Sequence, residues 1–431
     1  MSSTTIATPG GDDVNALVLD VGSSTFRAGF SGEDLPRIVE NSTFRFPTDN
    51  DIDMGNGNIP YSPVNYLSRT SPCSMRYAIR SDSKSSSIDM DGDALEQIIQ
   101  YSFKNPRSTL ELDLGESPLI MTEPNKPSIK YRKTCLDTAF EKFDFPAVSL
   151  IKRATGSAFA SGKQSGLVID IGASMTSVTP VYDGFVLQRP AVEFFGVGGD
   201  MLDTILDELL KKKRVNVMPF YRRTDGLDPK FINSSRLAVV RELKHELCRM
   251  SPSSLSSVPG YASWHIATEG QVASSVLPDG SPVDIAPFHQ VLPELLFDAA
   301  PVHAIPSMAP LVQSFNGIGA AALETIANCD IDARKAISSE VILTGGSSLF
   351  PHLPERLLKF LQTPESKGPN NLIPIQKPKV TASPVSCDRM CSSWLGASIV
   401  ASCATFQHLW ISRKQYQEQG MDHIAEKQLL W

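Results

Sequence analysis

Two distant stretches of the chain carry the same pattern. Leu17-Val18-Leu19-Asp20-Val21-Gly22-Ser23-Ser24 returns as Leu167-Val168-Ile169-Asp170-Ile171-Gly172-Ala173-Ser174. In each copy an apolar run fit for a buried strand ends in Asp, one apolar residue, Gly, a small residue and Ser. A second strand is expected after each, over residues 25–30 in the first copy and 175–181 in the second. Self-similarity of this kind marks a repeated supersecondary unit. Here the unit is strand, tight turn, strand, with the turn stripped of bulky side chains. Such a turn lets backbone N–H groups approach an anion closely. The aspartates Asp20 and Asp170 at the strand ends could share one divalent cation through water, the mode Mg²⁺ prefers. Two facing copies would grip a nucleotide's phosphates from opposite sides. One Asp-x-Gly-Ser is an ordinary turn and says little alone. The second copy, and a third glycine turn at Thr344-Gly345-Gly346-Ser347-Ser348, turn the pattern into a nucleotide site. Gly345 and Gly346 present no side chains, so this third turn could lie against a base or sugar. The Gly-Lys-Ser/Thr ending of a Walker loop is missing, which excludes a P-loop reading.

Composition narrows the class further. The 431 residues allow two or three domains or one large bilobed fold. Acidic residues outnumber basic ones 47 to 40, giving a net charge of −7, which argues against a polybasic nucleic-acid binder. No stretch approaches the ~20 apolar residues of a membrane span, and residues 1–13 lack a signal-peptide pattern. The seven cysteines form no Cys-x-x-Cys, so a reduced compartment without zinc or a disulfide frame is expected.

Along the chain, 43–87 loses periodicity and reads as a loop-rich excursion or small subdomain outside the core. Helical spacing is expected over 93–103, 130–143, 201–213 and 236–250. Strands are expected over 118–122 and 148–151, and a turn at Leu277-Pro278-Asp279-Gly280. The basic run 211–214 reads as a helix C-terminus, where cations are favoured. Residues 342–360 read as strand, glycine turn and helix. Residues 394–410 read as a nearly all-apolar buried helix.

At this point the chain resembles the actin family, within the superfamily of actins, heat-shock chaperone ATPases and sugar kinases. The likeness runs through LVLDVGSSTFRAGFSGEDLP (17–36), 118–124, Phe159-Ala160-Ser161-Gly162, and 167–184. It continues through 198–202, CDIDARKAISSEVILTGGSSLFP (329–351) and SWLGASIVASCATFQHLWIS (393–412). It implies an α/β actin-like duplicated ATPase fold, two lobes and four subdomains around a nucleotide cleft holding ATP or ADP with Mg²⁺. The small lobe would be 1–160 with 382–431, including subdomain 2 at about 43–90. The large lobe would be 161–381, with subdomain 4 at about 197–312. By the same resemblance Gly22, Ser23, Ser24, Thr25 and Arg27 form the first phosphate loop, and Gly172, Ala173, Ser174 and Thr176 belong to the second. Asp20 and Asp170 hold the hydrated metal. Gly345, Gly346, Ser347 and Lys244 lie near the adenosine, and Gly198 and Asp200 mark a glycine turn of the fourth subdomain.

The departures from that pattern carry as much information. Where actin keeps the glutamine that orients the attacking water, this chain has Arg153, and the assisting histidine is replaced by Ser177. The loop's second aspartate is Ala173, and a Lys-Glu pair near the ribose becomes Lys244-His245. Phosphoryl transfer depends on a placed nucleophile, and a guanidinium is a donor only. The expectation is a nucleotide-binding protein with little or no hydrolysis, not an enzyme. The Trp-Leu-Gly-Ala-Ser run, residues 215–221 and the degenerate 43–87 look most like the nuclear actin-related proteins of the fourth class. That likeness implies a subunit of chromatin-remodelling or histone acetyltransferase complexes that pairs with actin on a long scaffold helix. The contact face would draw on 407–416 and 154–159. Direct contact with histones stays open, and neither sequence-specific DNA nor a membrane is an expected partner. Two other readings stand beside it: a cytoskeletal relative that polymerises or joins a dynein-activating filament, and a small-alcohol kinase of the same superfamily.

Overall fold

The computed structural model describes residues 16–46, 62–66, 74–82, 87–104, 114–221, 224, 226–264, 273–363, 375–403, 406, 409–420 and 424. Two sheets organise them. The first is built on β1 (Leu17–Val21), β2 (Thr25–Phe30), β3 (Ile38–Asn41), β4 (Leu119–Glu123) and β5 (Ala147–Lys152). Its order is 411–412, β5, β4, β1, β2, β3, with β4 parallel to both β1 and β5. Helix α1 (Arg153–Ala160) follows β5 directly.

The second sheet repeats the plan with β6 (Gly166–Ile171), β7 (Met175–Tyr182) and β8 (Val192–Phe195). Helices α2 (Gly199–Lys212) and α3 (Pro229–Leu247) come next, then β9 (Val341–Thr344), α4 (Leu353–Gln362) and α5 (Ser392–Ser402). Strand β9 runs parallel to β6, and β7 is antiparallel to both β6 and β8. The sequence repeat is thus a structural one: β1–β2 and β6–β7 are matching hairpins in the same register. Asp20 lies opposite Arg27 in the first, and Asp170 opposite Ser177 in the second.

The near-continuous apolar runs of β1 and β6 have a simple cause: both faces of each strand are covered. Leu17, Leu19 and Val21 enter one core, while Val18 meets Trp394, Ala397 and Val400 of α5 on the other face. Leu167, Ile169 and Ile171 likewise enter the largest core, while Val168 meets Ala154 and Ala158 of α1. Alternation along a strand puts Asp20 on the face of Val18 and Asp170 on that of Val168. Both aspartates therefore point toward the place where α1 and α5 pass each other.

That crossing is close because it is built on glycine. A Cβ on Gly396 would stand 1.8 Å from the Gly156 carbonyl oxygen, and one on Gly156 would stand 2.7 Å from that of Ser393. The Ser157 and Ser392 hydroxyls hydrogen-bond across it at 3.0 Å. Trp394, fully buried, anchors α5 by donating its indole N–H to the Val18 carbonyl at 3.1 Å.

Several expectations need correction. The apolar stretch 394–410 is not one helix: α5 begins at Ser392 and stops at Ser402, and Ile399 is exposed. The helix expected from 236 starts seven residues earlier, because Asp228 caps the Lys230 N–H and Pro229 fits the first turn. The helices expected over 93–103 and 130–143 are α-helical at first and then widen into π-helical turns at Gln100–Lys104 and Thr138–Lys142. The loop-rich reading of 43–87 holds only in part. Short strands Thr43–Phe46, Ser62–Pro63 and Ser74–Tyr77 pair into a small sheet, and Phe44 and Ala78 are fully buried. Residues 47–61, 67–73 and 83–86 of that region lie outside the described residues. The basic run behaves as a helix end, with Lys211 paired to Asp207 at 2.8 Å.

Candidate functional site

The three glycine turns meet in one cleft of about 510 Å³, a size ordinary for a small-molecule site. The two hairpin turns are closed alike: the Gly22 N–H donates to the Thr25 carbonyl and the Gly172 N–H to the Met175 carbonyl, both at 2.9 Å. A side chain at either glycine would stand within 3.0 Å of that same carbonyl, so the turn requires the bare residue. The second turn is fastened further. The Gly199 and Asp200 N–H groups of α2 donate to the Gly172 and Ala173 carbonyls at 3.0 and 2.9 Å, and the Ser347 hydroxyl donates to Gly172 at 3.1 Å. Gly345 sits at φ +91°, and a Cβ there would lie 2.4 Å from the Asp170 carboxylate. Only glycine fits a left-handed backbone pressed so closely.

Of the residues expected at the site, Gly22, Ser23, Ser24, Thr25 and Arg27 line the cleft, as do Gly172, Ala173, Ser174, Lys244, Gly345, Gly346 and Ser347. Asp20, Asp170, Arg153 and Asp200 line it too. Three expected residues do not. Thr176 is fully buried and donates its hydroxyl to the Val197 carbonyl at 2.8 Å. Ser177 is buried and accepts from the Asn125 amide at 3.3 Å. Strand alternation hides both: the turn ends at Met175, and the residues beyond it belong to the sheet. Gly198 is not on the wall either. It lets the chain pass under the second turn, where a Cβ would lie 2.5 Å from the Ala173 carbonyl. Lys244 reaches the cleft but its ammonium is already engaged, by Asp203 at 2.6 Å and the Gly199 carbonyl at 3.1 Å. It holds the start of α2 in place.

Sequence reasoning missed Arg241 and Ser393. Arg241 stands one helical turn before Lys244 on α3 and pairs with Asp203 and Asp200 at 2.8 and 2.9 Å. The i, i+3 spacing from Lys244 was the available signal. Ser393 donates its hydroxyl to Asp20 at 3.0 Å, a contact across most of the chain that no local pattern announces.

The electrostatics at the two aspartates differ sharply. Asp20 sits opposite Arg27, and directly opposed residues share a sheet face, so the Arg27 guanidinium reaches its Oδ2 at 2.8 Å. Arg153, the first residue of α1, approaches Oδ1 with its Nε at 3.6 Å and donates from Nη2 to the Val21 carbonyl at 2.5 Å. The Thr122 hydroxyl donates to Oδ1 as well. Burial pushes the Asp20 carboxyl up, but the two guanidiniums and two hydroxyls outweigh it and leave it below the usual carboxylate range. Asp170 faces Ser177 instead of a cation, and it has no hydrogen-bonding partner among the described residues. Burial pushes it above the usual range, with Arg153 pulling the other way.

These donors do not fit the expected Mg²⁺. Asp20 has both oxygens committed to Arg27, Ser393, Thr122 and Arg153, and Arg27 and Arg153 can only donate, so of the two expected anchors only Asp170 is left to face a hydrated cation.

With this geometry in hand, comparison with known proteins is direct. The family model for actin matches residues 11–429. The chain belongs to the actin family. Its two-sheet, hairpin-repeated architecture is the actin-like α/β fold. It is similar along nearly its whole length to curated proteins named actin-related protein 4. That of Schizosaccharomyces pombe is 31% identical, over 96% of this chain and 97% of the relative. That of Oryza sativa subsp. japonica is 30% identical, and that of Arabidopsis thaliana 29%, each over 97% of this chain and 99% of the relative.

Proposed function

We propose that this actin-family protein is a nuclear, structural subunit of chromatin-remodelling or histone acetyltransferase complexes, that it holds ATP or ADP in its cleft, and that it hydrolyses ATP very slowly or not at all. The observation that carries the hydrolysis part is Arg153. It occupies the start of α1 beside both hairpin turns and is tied to Asp20 and to the Val21 carbonyl. A guanidinium fixed there can accept neither a proton nor a hydrogen bond from water, so it cannot hold a water with its lone pair turned to the phosphate. Ser177, the other expected helper, is buried away from the cleft. Nucleotide binding is supported by the convergence of three bare turns and two guanidiniums on one cavity. The complex and its compartment are supported by the relatives' shared name and the sequence likeness to that class.

In this reading 1–160 with 382–431 form the small lobe and 161–381 the large one, with α1 and α5 crossing between them. Bound nucleotide then stabilises one closure state by linkage. The protein pairs with actin on a helical scaffold. The face offered to that helix is narrower than the sequence implies, since Ala154, Thr155, Gly156, Ser157 and Ala158 are buried against α5 and the second sheet. Tyr416 is also engaged internally, stacked on Phe140 and donating to Asp137 at 2.8 Å. Gln407 and His408 lie outside the described residues. Affinity purification from nuclear and cytosolic extracts tests the proposal. Co-purification of actin with remodeller or acetyltransferase scaffold subunits is expected, and recovery of filament or dynein-linked proteins instead would replace it with a cytoskeletal role.

A further inference from the structure

We infer that the cleft takes its nucleotide as the free polyphosphate, without a divalent cation, and that Arg27 and Arg153 stand where a metal would otherwise be needed. The inference rests on the nucleotide-binding reading and concerns the form of the ligand. Four observations carry it. First, the carboxylate best placed to receive a hydrated cation is already full. Asp20 Oδ2 accepts from Arg27 at 2.8 Å and Ser393 at 3.0 Å, while Oδ1 accepts from Thr122 and faces Arg153 at 3.6 Å. Second, Arg153 is not a loose surface cation. It is the first residue of α1, and its Nη2–H bond to the Val21 carbonyl at 2.5 Å holds it beside the first turn.

Third, two guanidiniums, Arg27 and Arg153, line this end of the cleft beside Asp20 and Asp170. A divalent cation would enter against both guanidiniums, whereas a polyphosphate brings the negative charge they can receive. The planar fork of arginine suits phosphate oxygens in particular. Fourth, the hairpin register makes the arrangement asymmetric. The first copy places Arg27 opposite its aspartate and the second places neutral Ser177 there, so both cations are gathered at Asp20 and the metal's two expected anchors are no longer equivalent.

The test is equilibrium binding of ATP to the full chain by calorimetry, in excess EDTA and in excess Mg²⁺. Affinity in EDTA equal to or tighter than in Mg²⁺ is expected. Arg153→Gln, its folding checked by circular dichroism, should weaken binding in EDTA by about tenfold or more, ~1.4 kcal/mol, and acquire a preference for Mg²⁺. A wild-type loss of about tenfold or more on chelation would overturn the inference while leaving nucleotide binding intact. Absence of binding in both conditions would overturn the nucleotide reading and this inference with it. A second measurement needs no variant: with Mn²⁺ and ATP supplied, no stoichiometric protein-bound Mn²⁺ signal is expected by electron paramagnetic resonance. Such a signal would contradict the metal-free form.

Discussion

Asp20 and Asp170 begin as equals in the sequence and end in opposite electrostatic states, and single residues decide the difference. Arg27 and Arg153 hold Asp20 ionised in the interior, so removing the acid strands two guanidiniums that are each only 14% exposed at the side chain. Asp20→Ala should therefore cost about 3 kcal/mol of stability in chemical denaturation. Asp170 is half-buried in the cleft wall with no hydrogen-bonding partner among the described residues, and desolvation holds its folded-state carboxyl above its unfolded value. An acid shifted that way destabilises the fold once pH rises through the folded value, and costs nothing below the unfolded one. Asp170→Asn should raise the melting temperature of the nucleotide-free protein at neutral pH. The gain should shrink on acidification and vanish once the wild-type acid is protonated in both states. A lower melting temperature for this variant at neutral pH would contradict the assignment.

Secondary-structure elements were legible in the sequence where their signals are local. Both hairpins, the third glycine turn and the helices at 92–99, 129–137, 199–212, 229–247 and 353–362 could be read from apolar runs and bare turns, whereas α1 and the helices Ile318–Ala327 and Ile331–Ser339 were not. Three things could not. The small strands around Phe44 hide in a polar, irregular region because strands of two to four residues are too short to show a period. The end of α5 at Ser402 is invisible because the apolar composition continues past it. The Asp20–Arg153–Ser393 cluster depends on two helices crossing, which no spacing reveals. That crossing makes a sharp prediction. Gly396→Ala would press a methyl group into the Gly156 carbonyl and should cost about 3 kcal/mol, at the upper end for overpacking. Gly346→Ala meets nothing within 4 Å and should stay within about 0.5 kcal/mol of wild type, while weakening nucleotide binding because it roughens the cleft wall. Both are read by thermal melts with and without ATP.

Across the whole molecule, the two sheets are linked by α1 and α5 on one side and by a shared cleft on the other. A ligand spanning both hairpin turns should therefore stabilise the two sheets together. ATP at about 100 times its dissociation constant should add about 2.7 kcal/mol, seen as one transition moving upward in calorimetry; a shift confined to one of two transitions would place the ligand against a single sheet. The central proposal is that the cleft binds nucleotide and lacks a group that places the attacking water. Following γ-labelled ATP on the purified full chain under single-turnover conditions tests it most directly. The account predicts that the label remains in bound ATP over a time in which conventional actin filaments would have converted theirs. Release of phosphate at an actin-like rate, abolished by substituting Asp170, would contradict it.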